Sequence, residues 1–189
     1  GEMRERVGRL IGRPWSREGV APFIGTFHSF AAHLLRREAS RIGFTPHFSI
    51  YDEDDRMALV KEVARELGCD PKRFPAPVIG SVIANLKSDL IAWDEYEGRT
   101  ADEPFGRTIA RVYEAYQQRL RVSNALDFDD LIFFAVRLLR DDPVVRRRWQ
   151  DRFAHLHVDK YQDTSLGQYE LVRALAARPR NLFGIGDDA

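Results

Sequence analysis

The segment VDKYQDTS, Val158 to Ser165, sets two carboxylates four residues apart, Asp159 and Asp163, after a short apolar run. A carboxylate at the carboxyl end of a parallel strand can hold Mg²⁺, directly or through water, beside the phosphates of a nucleotide. Asp187 and Asp188 end a second apolar run, NLFGIG, in the same way. An aspartate in such a place also serves to cap the next helix, so spacing alone leaves both roles open for Asp159. Between the acids stands Lys160, an ammonium where a metal ion would be expected.

A second group is TFHSF, Thr26 to Phe30. At the start of a helix, backbone N–H groups attract phosphate oxygens, and Thr26 or Ser29 could add hydroxyl bonds. Phe27 or His28 could stack on a nucleic-acid base. The plainer alternative makes Thr26 a helix cap, Phe27 and Phe30 core, and His28 a surface histidine. His155 and His157, two apart on one strand face, are explained more cheaply by a half-exposed strand than by metal ligation. Arg146, Arg147 and Arg148 form a charge run of the kind that usually lies on a solvated helix face, with phosphate contact as the alternative.

These residues need elements to hold them. The chain has 189 residues, 44% hydrophobic and 31% charged, enough for a buried core and a soluble surface. Lys plus Arg and Asp plus Glu both number 29, so net charge points to no nucleic-acid partner, although a local basic patch remains compatible with it. Cys69 stands alone, which excludes a disulfide framework and a multi-cysteine metal site. No leader pattern and no long apolar run are seen, so a reducing, cytoplasmic setting without a membrane partner is expected.

Residues 2–11 read as the end of a helix with Met3, Val7 and Leu10 on one face. Phe27, Phe30, Ala31, Leu34 and Leu35 predict an amphipathic helix whose exposed first turn holds His28 and Ser29. Asp52 is placed to cap a helix with Met57, Val60, Ala64 and Leu67 inward, ended by Gly68. Further helices are expected over Val78 to Lys87 and along the stripe Ile109, Val112, Tyr113, Tyr116 and Leu120. The stretches DPKRFPAP and DEYEGRTADEP read as linkers. Asp127 should cap a helix with Phe128, Leu131, Ile132, Ala135 and Leu139 inward, and Asp142-Pro143 should open another. HLHV, DKYQD, a helix from Ser165 to about Ala177 and NLFGIG follow as strand, acidic turn, helix and strand, the order of a parallel α/β sheet. The expected fold is therefore α/β and mostly helical, a partial parallel sheet interrupted by an all-helical insertion.

Taken together and in order, these motifs resemble the UvrD/Rep family of superfamily 1 DNA helicases. GEMRERV is similar to the tail of that family's motif Ia, GTFHSFAAHLLR to motif Ib, and ALDFDDLI to the segment re-entering the first RecA-like domain. VDKYQDTS resembles the Walker B motif, usually V-D-E-[YF]-Q-D-T, and IGDDA the start of motif III. The resemblance implies residues 1–50 as part of the first RecA-like motor domain, 51–125 as the helical 1B insertion, and 126–189 as the return to the motor domain. It implies that Thr26, Phe27, His28 and Ser29 face single-stranded DNA. Asp159 would orient Mg²⁺ on ATP, Gln162 and Asp163 would lie near the nucleotide, and Asp187 and Asp188 would lead into motif III.

The departures matter as much. The family's G-x-G-K-T loop and second motor domain are not in these 189 residues, so a fragment of a longer helicase is expected. Lys160 stands where the family has the glutamate that activates water. A protonated lysine cannot take up that proton, and loss of a general base costs roughly 100- to 10,000-fold in rate. The resemblance thus implies a parent enzyme that couples ATP hydrolysis, with Mg²⁺, to 3′–5′ translocation on single-stranded DNA near the nucleoid. The chain itself is expected to lack ATPase activity, to hold neither ATP nor Mg²⁺ tightly, and to bind single-stranded DNA weakly beside the rest of the helicase chain. Two alternatives stand beside this. One is a non-enzymatic DNA- or protein-binding module from a truncated paralogue. The other is an unrelated Mg²⁺-dependent phosphohydrolase using Asp159, Asp163, Asp187 and Asp188.

Overall fold

In a computed structural model the structure describes residues 23–177 and 182–185. The helix end expected over 2–11, and Asp187 and Asp188, lie outside the described residues. Helix α1, Phe27–Arg37, starts where Thr26 Oγ1 accepts from the Ser29 N–H at 3.2 Å. Its stripe buries Ala31, Ala32, Leu34 and Leu35. A 3₁₀ turn over Ala39–Ile42 and strand β1, Ser49–Tyr51, follow. Asp52 and Asp55 form a reciprocal capping box that opens α2, Glu53–Glu66. Three more helices complete the middle of the chain: α3, Ala76–Ser88; α4, Trp93–Arg99; and α5, Pro104–Val122.

Helix α4 falls in a stretch read from the sequence as linker. Trp93 and Tyr96 dock, half-buried, on the cluster built by α2, α3 and α5. Asp94 and Glu95 sit in its first turn, and Glu95 accepts from Arg99 at 2.9 Å. Tertiary docking and favourable end charges therefore stabilise a seven-residue helix that no apolar periodicity announces.

Strand β2, Ala125–Asp127, returns the chain to β1, and the two pair in parallel, Ser49 with Ala125 and Tyr51 with Asp127. The helical stretch thus leaves and re-enters at adjacent points. Strand alternation divides the core here. Leu126 and Ile50 belong to a cluster with α1, while Ala125 and Tyr51 belong to the cluster of α2, α3 and α5. Helix α6, Phe128–Asp141, buries Leu131, Ile132, Ala135 and Leu139, as the sequence predicts. Phe128 departs from that expectation: it is 52% exposed.

Helix α7, Pro143–Gln150, is capped by Asp142. Of its arginines, Arg148 pairs with the buried Glu38 at 3.2 Å, and Arg146 donates to the carbonyls of Leu139 and Arg140. Only Arg147 of this run fits the simple solvated face. Strand β3, Leu156–Asp159, helix α8, Leu166–Ala176, and strand β4, Leu182–Ile185, form a parallel β–α–β unit, with Leu156 opposite Leu182 and Asp159 opposite Ile185. The described residues thus make an α/β fold that is mostly helical, with two short parallel strand pairs.

The two clusters meet at a buried polar knot. Lys87 of α3 has no exposed side-chain surface and donates to Asp127 Oδ2 at 2.6 Å, with Asp130 Oδ1 at 2.8 Å. Tyr116 of α5 donates its hydroxyl to Asp127 Oδ2 at 2.7 Å, and Gln117 Nε2 donates to Asp130 Oδ1 at 3.1 Å. One ammonium cannot neutralise two buried carboxylates. Burial first, then the Asp127 charge, pushes the Asp130 carboxyl up to about 7 against the pull of Lys87. Burial also opposes ionisation of Asp127, but Lys87 and the Tyr116 hydroxyl outweigh it and hold that carboxyl below its usual range.

The sign for stability follows. A carboxyl raised on folding binds its proton more tightly in the native state, so its contribution is complete below the ordinary value of 3.8 and is lost as pH rises towards about 7. Denaturant melts of the native chain and of Asp130→Asn between those limits should show the native chain losing ground to the variant as pH rises. Parallel pH profiles would show that Asp130 does not titrate in this window.

Candidate functional site

The start of α1 is a tight, reciprocal turn. Thr26 Oγ1 accepts from the Ser29 N–H, and the Ser29 hydroxyl donates to the Thr26 carbonyl at 2.8 Å. Thr26 and Ser29 are exposed, and Phe27 and His28 are half-buried. The capping role foreseen as the plainer alternative for Thr26 is therefore real. It still leaves the Thr26 hydroxyl proton free to donate outward, and the N–H groups of Phe27 and His28 without intrahelical acceptors by helix geometry. Gly25 leaves room for this turn, because a Cβ on it would collide with Ser29 Oγ and meet the Phe23 ring at 3.0 Å, so the Ser29 hydroxyl would have to move.

Beside this turn lies a residue that sequence reasoning assigned to the core. Phe128, the first residue of α6, presents its ring edge-on to His28, with centroids 5.8 Å apart and planes at 69°. The next residue, Asp129, is half-buried, and burial followed by the Asp127 charge raises its carboxyl above the usual range, while Lys87, Arg56 and His28 oppose the rise. The available signal was the pattern D-F-D-D at a helix start, one aromatic ring set among three acids. The arrangement offers hydrogen-bond donors for a phosphate and two rings for a base, the two parts of a single-strand binding surface.

The second group sits at the carboxyl end of β3. Asp159 is exposed, and its Oδ1 accepts from the Lys160 N–H at 2.9 Å. It does not cap the following helix. That role falls to Ser165, which forms a capping box with Gln168. Lys160 has φ +52°, the left-handed region that non-glycine residues rarely occupy. Its carbonyl accepts from the Asp163 N–H at 3.1 Å, its side chain is exposed, and it forms no ion pair among the described residues. Gln162 and Asp163 lie on the next 3₁₀ turn, Tyr161–Asp163, and are exposed.

Among the described residues no group of three His, Cys, Asp or Glu side chains could hold a metal alone. His155 and His157 are exposed, and the His157 ring faces Phe183 at 5.7 Å. Asp159, with one oxygen uncommitted to Lys160, fits a Mg²⁺ that arrives with nucleotide phosphates rather than one caged by protein. A cavity of about 720 Å³ opens elsewhere, between the two apolar clusters, lined by residues such as Phe44, Trp93, Arg121 and Phe133 and by none of the candidate residues.

Comparison with known proteins adds the family context. Residues 1–189 match the family described as UvrD/REP helicase N-terminal domain. The chain is 39% identical over 186 residues to the ATP-dependent DNA helicase PcrA of Leuconostoc citreum, covering 98% of this chain and 24% of that protein. It is 42% identical over 177 residues to the ATP-dependent DNA helicase UvrD1 of Mycobacterium leprae (strain TN), covering 92% and 22%. With UvrD1 of Mycobacterium tuberculosis (strain ATCC 25618 / H37Rv) the identity is 43% over 185 residues, covering 95% and 23%. The chain spans about a quarter of the length of these relatives.

Gly25→Ala should displace the Ser29 hydroxyl and loosen the α1 cap, at a cost of about 1 kcal/mol. Thermal or denaturant unfolding measures this directly, and an unchanged midpoint would show that the turn accepts a Cβ.

Proposed function

The chain belongs to the UvrD/REP helicase N-terminal domain family, and from that premise we propose that it is a part of an ATP-dependent DNA helicase that grips single-stranded DNA. One observation carries the reading: exposed Phe128 stands edge-on to His28 at the capped, donor-rich start of α1. Phosphate would accept from the Thr26 hydroxyl and from the first N–H groups of α1, with Ser29 holding the turn. Bases would stack on Phe128 and His28, and Phe27 would support them from the half-buried side. We assign residues 1–50 and 126–189 to the motor domain and 51–125 to its helical insertion. The division into two apolar clusters supports that assignment. The whole protein would act in the cytoplasm, at the nucleoid, moving 3′–5′ along the strand.

The nucleotide edge reads differently. Asp159 would hold Mg²⁺ on ATP, with Gln162 and Asp163 beside the nucleotide. When bound, the metal would screen phosphate charge. Lys160 supplies no base for the attacking water, and its exposed ammonium stands next to Asp159. That favours a chain that binds DNA and does not itself turn over ATP.

Fluorescence anisotropy with a labelled oligo(dT) tests the DNA site. Binding should weaken steeply with salt, and Phe128→Ala or His28→Ala should each raise Kd by about tenfold. Equal affinity at low and high salt, or no effect of either variant, would remove the site. Hydrolysis is tested by placing the 189 residues into the Leuconostoc citreum PcrA in place of its own segment. That chimera should be nearly inactive, and Lys160→Glu within it should restore turnover by roughly 100- to 10,000-fold. A fully active Lys160 chimera would refute the assignment of this position.

A further inference from the structure

Asp127 and Asp130 each divide their two carboxylate oxygens between two tasks. Asp127 Oδ1 accepts from the Asp130 N–H at 2.8 Å, and Asp130 Oδ2 accepts from the Asp127 N–H at 3.2 Å, which together cap α6 from both directions. The remaining oxygens, Asp127 Oδ2 and Asp130 Oδ1, both face Lys87 of α3, at 2.6 and 2.8 Å. Of the two residues between them, Phe128 is turned outward, 52% exposed, and Asp129 is half-buried, while Asp127 and Asp130 are 1% and 0% exposed. Phe128 is thus displayed on a turn pinned on either side by one ammonium that comes from the other apolar cluster. The ammonium is itself fixed, with the Tyr116 ring 4.9 Å from Nζ.

We infer that Lys87 is a positioning residue for the single-strand site: by holding the free oxygens of Asp127 and Asp130 it sets the first turn of α6 and so keeps the Phe128 ring beside His28. This rests on the DNA reading proposed above only for its consequence, not for its geometry. Lys87 never touches DNA. It sits on the helical insertion, and so any shift of α3 is passed to the ring that would meet a base. The neighbouring apolar contacts of α3 with α6 could not do this alone. They are non-directional, whereas two short charge-assisted bonds to two specific oxygens fix a turn in angle as well as in distance.

The test uses two readouts on the 189-residue chain. The first needs no DNA. Phe128→Leu removes the ring current that Phe128 exerts on the His28 ring protons, and the shift change is read by NMR. In a Lys87→Met background the same Phe128→Leu change should move those protons by less than half as much, because the ring has already left its place. Lys87→Arg, which keeps a cation and donors, should recover part of the coupling. The second readout is oligo(dT) anisotropy, where Lys87→Met should raise Kd by about tenfold and leave the salt slope unchanged, since a stacked base is lost and phosphate contacts are kept. A merely destabilised chain raises the apparent Kd only in proportion to its unfolded fraction, so the folded fraction is read by circular dichroism on the same sample and a rise of about tenfold in a fully folded variant is the expected result. Where Lys87→Met does not fold, Lys87→Gln, whose shorter neutral end cannot hold both carboxylates, carries the same two readouts. Undiminished coupling between positions 128 and 28 in a folded variant overturns the inference. Failure of the unmutated chain to bind oligo(dT) at low salt overturns the DNA reading alone, and the NMR cycle then still decides the role of Lys87.

Discussion

A single buried ammonium shared by two buried carboxylates is the constraint on which this architecture turns. The Lys87 side chain has no contact with water, nor in effect do Asp127 and Asp130. Each charge alone would be costly to bury by several kcal/mol, so the three must find one another, and the short bonds they form dictate how α3 meets the start of α6. Removing one partner from such a group typically costs about 3–5 kcal/mol, since the remainder is left buried and uncompensated. An apolar junction of the same volume could be equally stable, but it would tolerate sliding. The polar knot specifies one register between the helical stretch and the layer that carries the first turns of α1 and α6.

The strands next to the knot serve the same end. Strand β2 is only three residues long, yet it ends on Asp127 and pairs in parallel with β1, where the helical stretch begins. Alternation along it sends Ala125 to one apolar cluster and Leu126 to the other. Entry and exit are therefore tied by backbone hydrogen bonds, the two cores are divided by the pleat, and the next residue in line is a member of the buried charge group. Asn124, with φ +46°, makes the turn into this strand, and its side chain bonds Thr45 on the entering segment through both amide atoms. Sheet pairing, side-chain bridging and the buried ion group act within a few residues of one another, and together they join the two clusters.

How much of this the sequence revealed depends on what kind of signal each feature leaves. Helices α1, α5 and α6 were legible because a 3.6-residue period reports which face of a helix is inward. The caps at Thr26, Asp52, Asp127 and Asp142 were legible because residue type and position suffice. Phe128 was misread for a definite reason. Its angle on the helix matches Leu131 and Ile132, but periodicity does not say how far the covering elements extend, and at the first turn Phe128 is left 52% exposed with its ring against His28. Helix α4 left no periodic trace because docking of Trp93 and Tyr96 stabilises it. Lys87 was open to discovery: it falls four and eight residues after Ile83 and Ile79, on the apolar face of α3, and a lysine there calls for an acid opposite. The left-handed backbone of Lys160 left no mark in the sequence, since nothing in the residue type demands it.

The chain has two lysines of structural note, and they mark opposite regimes. Lys87 is bound on all sides, so its identity is part of the fold. Lys160 bonds its neighbours through the backbone, its N–H to Asp159 and its carbonyl from the Asp163 N–H, and its exposed side chain forms no ion pair among the described residues. Any residue able to adopt φ +52° would support the same turn. No ion pair among the described residues depends on the side chain at 160, whereas a group that activates water must accept a proton, which a protonated lysine cannot do. A glutamate here would keep both backbone bonds and reverse the charge. On the reading proposed above, the chain would keep the β3 strand, the acidic turn and the Ser165 cap while lacking the side chain that the hydrolytic step would need.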